Sequence, residues 1–342
     1  MRVSINAHYL HRKMSGLARY ARQIHAVLLA DGHQIVEVQP PGWFYREGGR
    51  IRKILRFLAL ATCELLVPPL ILLLRRADYH ISPAFAAPLG LVSRRHLVVV
   101  HDLAFIDYPE LYSRLERLYL RLNLRILQIG RHQIIAPSEF VKAQICRIYG
   151  ISAHRVHTIS PYSEFKAKTV PMSQSDRYFV LLCNAHPRKN LQATLEGFLA
   201  SQPCADGYRL LVVGNFEKTV HADAGQVLVC KGVSDEQLQT MIAGASAMVL
   251  FSLSEGFGFP VVEAASLGVV SLTSGVSSLA ELSAPGAPVS VATNPAEIKS
   301  KFDQFLADAS YRARLEQDRQ FVNATFSREA FDQRWRELLC EQ

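Results

Sequence analysis

No CxxC pair occurs in the 342 residues; the six cysteines stand scattered at 63, 146, 183, 204, 230 and 340. Neither a disulfide framework nor a zinc ribbon is expected from that spacing, and a reducing cytoplasm is the expected setting. No long apolar stretch follows the charged start MRVSINAHYL, so no secretory leader is expected. There is no zinc-finger spacing, no RNP-like aromatic strand and no basic recognition helix, which leaves nucleic acid without support as a partner. No repeat of short period is present.

What the chain does have is a globular composition, 49% hydrophobic and 20% charged, with 19 Gly and 16 Pro. Its length exceeds what one core usually serves, so two domains are expected. Charge is unevenly split. Residues 1–168 hold 24 Lys and Arg against 11 Asp and Glu, a net of +13, while residues 169–342 hold 14 against 19, a net of −5. The first half therefore suits an anionic partner, and an anionic membrane surface is the expectation.

Short apolar runs alternate with longer helical segments. Strands are predicted over 2–7, 34–39, 79–82, 96–102, 132–138 and 156–160, then over 178–184, 209–215, 226–232, 247–252 and 269–273. Many are β-branched runs without polar alternation, as strands covered on both faces require. Helical periodicity occupies 17–31, 110–130, 189–200, 235–245 and 260–267, and again from about Arg312 to the end with a break near Thr325–Ser327. Strand–helix–strand alternation implies parallel sheets. The expected fold is α/β with two Rossmann-like, doubly wound domains, 1–165 and 166–324. They are joined through the polar stretch EFKAKTVPMSQSDR (164–177), and a final helix over 325–342 returns to the first domain.

Ile54–Leu74, ILRFLALATCELLVPPLILLL, is strongly apolar, but Arg56, Glu64 and Pro68–Pro69 interrupt it. A spanning helix needs roughly 20 clean residues. Two readings stay open: a crossover helix buried on the first sheet, or a monotopic face flanked by Arg50, Arg52, Lys53 and Arg56 at one end and Arg75 and Arg76 at the other.

In an open parallel sheet, ligands bind beyond the carboxyl ends of the strands. After the first strand, Ser15–Gly16 precedes a helix: a close backbone approach for an anion, or a plain cap. His101 ends the fourth strand, either at a cleft mouth or as a satisfied structural histidine. In the second half, Arg188 and Lys189 open a helix, where cations are electrostatically disfavoured unless an anion binds. LFSLSEGFGFPVVEAASLG (250–268) then runs strand, glycine-rich loop, helix, with Glu255 and Glu263 eight apart around Phe257–Gly258 and Pro260 in the first helical turn. It lacks the third glycine of a dinucleotide fingerprint. His154 and His157, without a third ligand, are no metal site.

These segments in this order, SGLARYARQI, HDLAFIDYPELYS, IIAPSEFVKAQI, HPRKNL and above all the E-x7-E stretch EGFGFPVVEA, resemble the GT-B-fold glycosyltransferases of family 4, retaining enzymes that use nucleotide-sugar donors. The form seen here is similar to bacterial exopolysaccharide and O-antigen enzymes, many of them mannosyltransferases. The resemblance implies two Rossmann-like domains facing across a cleft.

The resemblance also implies roles. Gly16 would approach the donor diphosphate, and His101 would lie beside the transferred sugar. Arg188 and Lys189 would hold the diphosphate as leaving group, and Glu255 would take donor-sugar hydroxyls with the Phe257 and Gly258 amides nearby. Glu263 would bind the ribose, and Ser277, Ser278 and Leu279 would border the diphosphate and nucleotide. The leaving phosphate oxygen would accept the acceptor's proton, so no side-chain base is assigned. Cys183–Asn184 stands where many members have Gly–Arg, Pro161–Tyr162–Ser163 replaces an Asn–Gly, and SVATNP lacks an aspartate. There is no Asp-x-Asp, so neither metal nor other cofactor is expected.

The expected function is transfer of a hexose, mannose from GDP-mannose, to a lipid-diphosphate-linked saccharide at the inner face of the cell membrane. Alternatives kept open are a UDP-sugar or deoxyhexose donor, an epimerase or phosphorylase of the same architecture, and a non-catalytic nucleotide-sugar-binding protein.

Overall fold

The computed structural model describes residues 1–10, 15–40, 50–74, 76–86, 95–166, 177–184, 186–214, 225–287 and 289–340, without the side chains of 50–54 and 56–58. Most of the polar stretch 164–177, Arg75, and the side chains of Arg50, Arg52, Lys53 and Arg56 thus lie outside the described residues. The chain divides into two compact units, Met1–Pro161 with Phe331–Gln342, and Tyr162–Ala330. The first division therefore falls a few residues before 165, because Phe165 packs with the second unit's core.

The first unit contains β1 (Arg2–Asn6), α1 (Gly16–Ala30), β2 (Gln34–Val38), α2 (Arg50–Leu65), α3 (Val67–Leu73), β3 (Tyr79–Ser82), β4 (His96–Val99), α4 (Ala104–Asp107), α5 (Arg114–Ile129), β5 (Gln133–Ala136), α6 (Glu139–Tyr149) and β6 (Val156–Thr158). The second contains β7 (Tyr178–Leu182), α7 (Leu191–Leu199), α8 (Gln202–Ala205), β8 (Arg209–Val213), β9 (Val227–Cys230), α9 (Asp235–Ala243), β10 (Ala247–Leu250), α10 (Phe259–Ser266), β11 (Ser271–Thr273), α11 (Pro295–Ala307) and α12 (Ala309–Thr325). α13 (Arg328–Cys340) follows α12, and from Phe331 it belongs to the first unit.

Both sheets are parallel throughout, in the orders β2-β1-β3-β4-β5-β6 and β11-β10-β7-β8-β9. Each of the eleven sequence-predicted strands forms, trimmed by a residue or more at most ends. Strand order reverses at β1/β3 in the first sheet and at β7/β10 in the second, the switch points where a crevice opens at the carboxyl ends.

Alternation along β7 sends Phe179 and Leu181 to one face, with α7, α11 and α12, and Val180 to the other, with α9 and α10. The first face is an aromatic cluster: the Phe179 ring lies 5.0 Å from Phe302 and 5.4 Å from Phe305. Helix starts are set locally by side-chain caps, among them Ser113 with Glu116, Ser234 with Gln237, and Asn294 with Glu297. α13 closes the first unit, burying Phe331, Trp335, Leu338 and Leu339, with the Arg336 guanidinium 2.8 Å from Asp31.

The apolar stretch 54–74 becomes two helices broken at Leu66, where Pro68–Pro69 cannot continue α2. Glu64 is not an exposed interruption. Buried at 2% exposure, it accepts from the Tyr9 hydroxyl at 2.6 Å and from the Tyr119 hydroxyl of α5 at 2.7 Å. Leucines on both elements nonetheless face water: Leu55, Leu66, Leu70, Leu73 and Leu74 on α2–α3, and Leu115, Leu118 and Leu122 on α5 beside Arg114, Arg117 and Arg121. Among the described residues no helix is long and apolar enough to cross a membrane.

Candidate active site

The carboxyl ends of β7 and β10 bring the predicted charges together. β7 delivers the Pro187–Lys189 turn and β10 the loop through Glu255 to α10. The Leu253 amide donates to the Arg188 carbonyl at 2.7 Å and locks one loop to the other. Across that lock, Lys189 Nζ donates to Glu255 Oε1 at 2.5 Å. Arg188 itself is half-buried in the same turn.

A third loop, after β11, holds the Glu255 backbone in place. The Glu255 amide donates to Ser277 Oγ at 3.0 Å, and Ser278 Oγ–H reaches the carbonyls of Glu255 at 2.9 Å and Phe257 at 3.0 Å. Gly258 has φ +113°, and a Cβ there would come within 2.8 Å of Leu279 Cδ2 and 2.9 Å of Leu282 Cδ1. The glycine is thus required twice, by its backbone and by Leu279. Glu263 lies one turn into α10, buried at 2% exposure.

Asn190 at φ +55° and Ser277 at φ +53° are, among the described residues, the non-glycines with positive φ. Both border this cluster. Left-handed backbone costs an ordinary residue free energy and persists where its surroundings over-determine it. Asn190 is secured by its Nδ2 donating to the Thr293 carbonyl at 2.8 Å. Sequence reasoning did not single out Asn190; the available signal was an Asn just before an apolar helix. Cys183, at the end of β7, has its thiol pushed up to about 12 by burial, with Lys189 pulling down and Glu255 pushing up. It is a neutral spacer, not a nucleophile.

Gly16 and His101 belong to the first unit. Gly16 is the first residue of α1, capped by Ser15 Oγ accepting from the Ala18 amide at 3.2 Å. His101 follows β4 and donates from Nε2 to the Pro83 carbonyl at 2.7 Å, beyond the end of β3. Its ring packs edge-on to Tyr20 of α1 at 5.2 Å. Burial lowers the His101 pKa, against the raising effects of the Pro83 bond and Asp102, so the ring is neutral at neutral pH and Nδ1 is an acceptor. Among the described residues no three His, Cys, Asp or Glu are grouped to hold a metal ion.

Two parallel, doubly wound units with loops converging at a switch point define the GT-B class of glycosyltransferase folds. Residues 164–320, which span most of the second unit, match the family described as glycosyl transferases group 1. The chain is 28% identical over 255 residues to the O-antigen chain mannosyltransferase B of Escherichia coli, covering 68% of this chain and 66% of that protein. It is 25% identical over 182 residues to the O-antigen chain mannosyltransferase RfbU of Salmonella typhimurium, covering 50% and 49%. The matches thus span about two thirds and one half of those relatives' lengths. Among solved structures, Anabaena HepE in complex with UDP-glucose superposes with a TM-score of 0.71 at 14% identity, covering all of both chains. WaaG, a glycosyltransferase involved in lipopolysaccharide biosynthesis, gives 0.68 at 13% identity over 99% of each.

Proposed function

We propose that this chain is a retaining, metal-independent hexosyltransferase that moves mannose from GDP-mannose to a lipid-diphosphate-linked saccharide, working peripherally on the inner face of the cell membrane. The observation that carries the reading is the Lys189–Glu255 pair at the β7/β10 switch point, held by Ser277 and Ser278. The group 1 domain and the two O-antigen mannosyltransferase relatives support the sugar and the acceptor class.

The chemistry follows from charge. A donor diphosphate draws Lys189 and Arg188 to itself, and the attraction grows as the glycosidic bond breaks and negative charge builds on the leaving phosphate. Glu255, relieved of its lysine, accepts hydrogen bonds from sugar hydroxyls, which are donors. Backbone amides at Phe257–Gly258 lie alongside, Glu263 takes the ribose hydroxyls, and Ser277–Leu279 borders the nucleotide. Neutral His101 offers an acceptor nitrogen without adding positive charge next to an oxocarbenium-like centre. The leaving phosphate oxygen takes the acceptor's proton.

The leucines of α3 and α5, interleaved with α5 arginines, supply the membrane face: apolar side chains enter the interface while guanidinium groups meet anionic headgroups. Leu118→Asp should lower co-sedimentation with anionic vesicles at least several-fold, and unchanged sedimentation would remove the membrane reading alone. The activity is tested by a donor panel with detergent-solubilised lipid-linked acceptors. Acceptor-dependent, chelator-insensitive GDP release from GDP-mannose is expected. Release from another donor would correct the sugar, and absence of both release and donor binding would overturn the assignment.

A further inference from the structure

A second cluster of charge lies in the same unit, outside the proposed donor site. A cavity of about 30 Å³ is lined by α10, β11, the segment after it, and helices α11 and α12. Lys301 of α11 reaches it from a position only 7% exposed. Arg314, Asp318 and Arg319 of α12 enter from the other side, with the Tyr311 ring between the cations. Lys301 Nζ and the Arg314 guanidinium carbon each sit 5.7 Å from that ring's centroid.

The charges do not balance. Arg319 is satisfied by Glu316, to which its Nε donates at 2.8 Å. That leaves Lys301 and Arg314 facing one carboxylate, Asp318, which already accepts from the Ala284 amide at 2.7 Å. Lys301 donates to Ser290 Oγ, a neutral partner. Arg314 Nε is buried with no hydrogen-bond partner. A surplus cation at a partly buried site is costly unless an anion joins it. Burial first, and Arg314 second, press the Lys301 ammonium down to about 8 against the pull of Asp318.

We propose that this cavity is a binding site for one small oxyanion, phosphate- or carboxylate-sized, held between Lys301 and Arg314. Its volume is two to three times the roughly 10–15 Å³ that a single water needs, too small for a sugar or a nucleotide. The walls give the site a consequence. Gly275 and Leu282 line the cavity, and between them in sequence stand Ser277 and Ser278, which hold the Glu255 loop. Val261 and Ala265 line it from α10, on either side of Glu263. An anion here ties α11 and α12 to the two segments that carry both glutamates.

The test is a melting measurement on the full chain, which does not depend on the proposed activity. Inorganic phosphate and acetate are titrated separately at constant ionic strength, in wild type and in Lys189→Ala, the latter removing the proposed diphosphate contact. One of the two anions is expected to raise the melting temperature by about 2–4 °C at ten times its dissociation constant, in both proteins. Lys301→Met and Arg314→Gln should abolish that rise, and raising the pH from 7 to 9 should weaken it as Lys301 loses its proton. Arg314 is less buried than Lys301, so its variant decides the matter if Lys301→Met does not fold. The proposal is overturned if neither anion stabilises wild type, or if stabilisation persists in Arg314→Gln.

Discussion

Lys189 Nζ and Glu255 Oε1 lie 2.5 Å apart at the carboxyl ends of β7 and β10, with side chains only 16% and 9% exposed. Two oppositely charged residues 66 positions apart are thus held as a mostly desolvated pair where a doubly wound sheet binds its ligand.

Breaking one side of this pair should cost more than breaking both. Lys189→Met leaves the Glu255 carboxylate without its counter-charge and is expected to destabilise the second unit by about 3 kcal/mol. Adding Glu255→Gln should restore most of that in urea unfolding. Turnover should fall at least about 100-fold in each single variant and in the double, since the proposed roles need both charges. Normal turnover in Glu255→Gln would remove the site assignment.

Gly258→Ala tests the loop geometry. The added methyl meets Leu279 and Leu282 below 3.0 Å in a left-handed backbone. We expect a loss of about 2–4 kcal/mol by denaturant titration, together with weakened donor binding. A neutral substitution would show that Leu279 and Leu282 can yield.

Acid sensitivity should arise in the first unit. His80 of β3 and His96 of β4 face each other in register, and the His96 ring lies 5.4 Å from that of His132 just before β5. Burial lowers the His96 pKa to about 3, with the charge of His132 adding to it, and burial with His96 lowers His80 likewise. Below about pH 6.5 the unfolded chain protonates these rings while the native state does not. The stability that neutral His96 contributes is therefore complete above that pH and lost as it falls toward 3, by about 1.4 kcal/mol per pH unit, and buried His80 acts in the same direction. His96→Leu should flatten this slope; an unchanged slope would mean that other groups carry it.

Trp335 holds α13 to the first unit at 1% exposure, with Phe331 packed against Tyr20 of α1 at 5.5 Å between ring centroids. Trp335→Ala should cost about 3–5 kcal/mol and speed amide exchange in β1 and α1 more than in β7–β11. Uniform acceleration throughout would argue against a unit-specific role.

Much of this was legible in the chain because parallel, fully covered strands leave a strong local signature. Runs such as YFVLL and RLLVV carry no polar alternation, and turn residues bound them, so all eleven strands could be named. The E-x7-E stretch was legible for a similar reason: glycines, a helix-starting proline and two carboxylates are close in sequence. The buried role of Glu64 was not legible, since its partners Tyr9 and Tyr119 are each 55 residues distant.

The sequence by itself determined the strand–helix alternation, the uneven charge, and the loops that carry candidate chemistry, all encoded within a dozen neighbouring residues. Only the tertiary structure decided which distant charges meet. Lys189 finds Glu255 because β10 crosses to the far side of β7, and Lys301 finds Arg314 because α11 and α12 close over β11. Pairings of that kind depend on sheet order and helix packing. Both arise from burying apolar faces across the whole unit, so no local pattern records them.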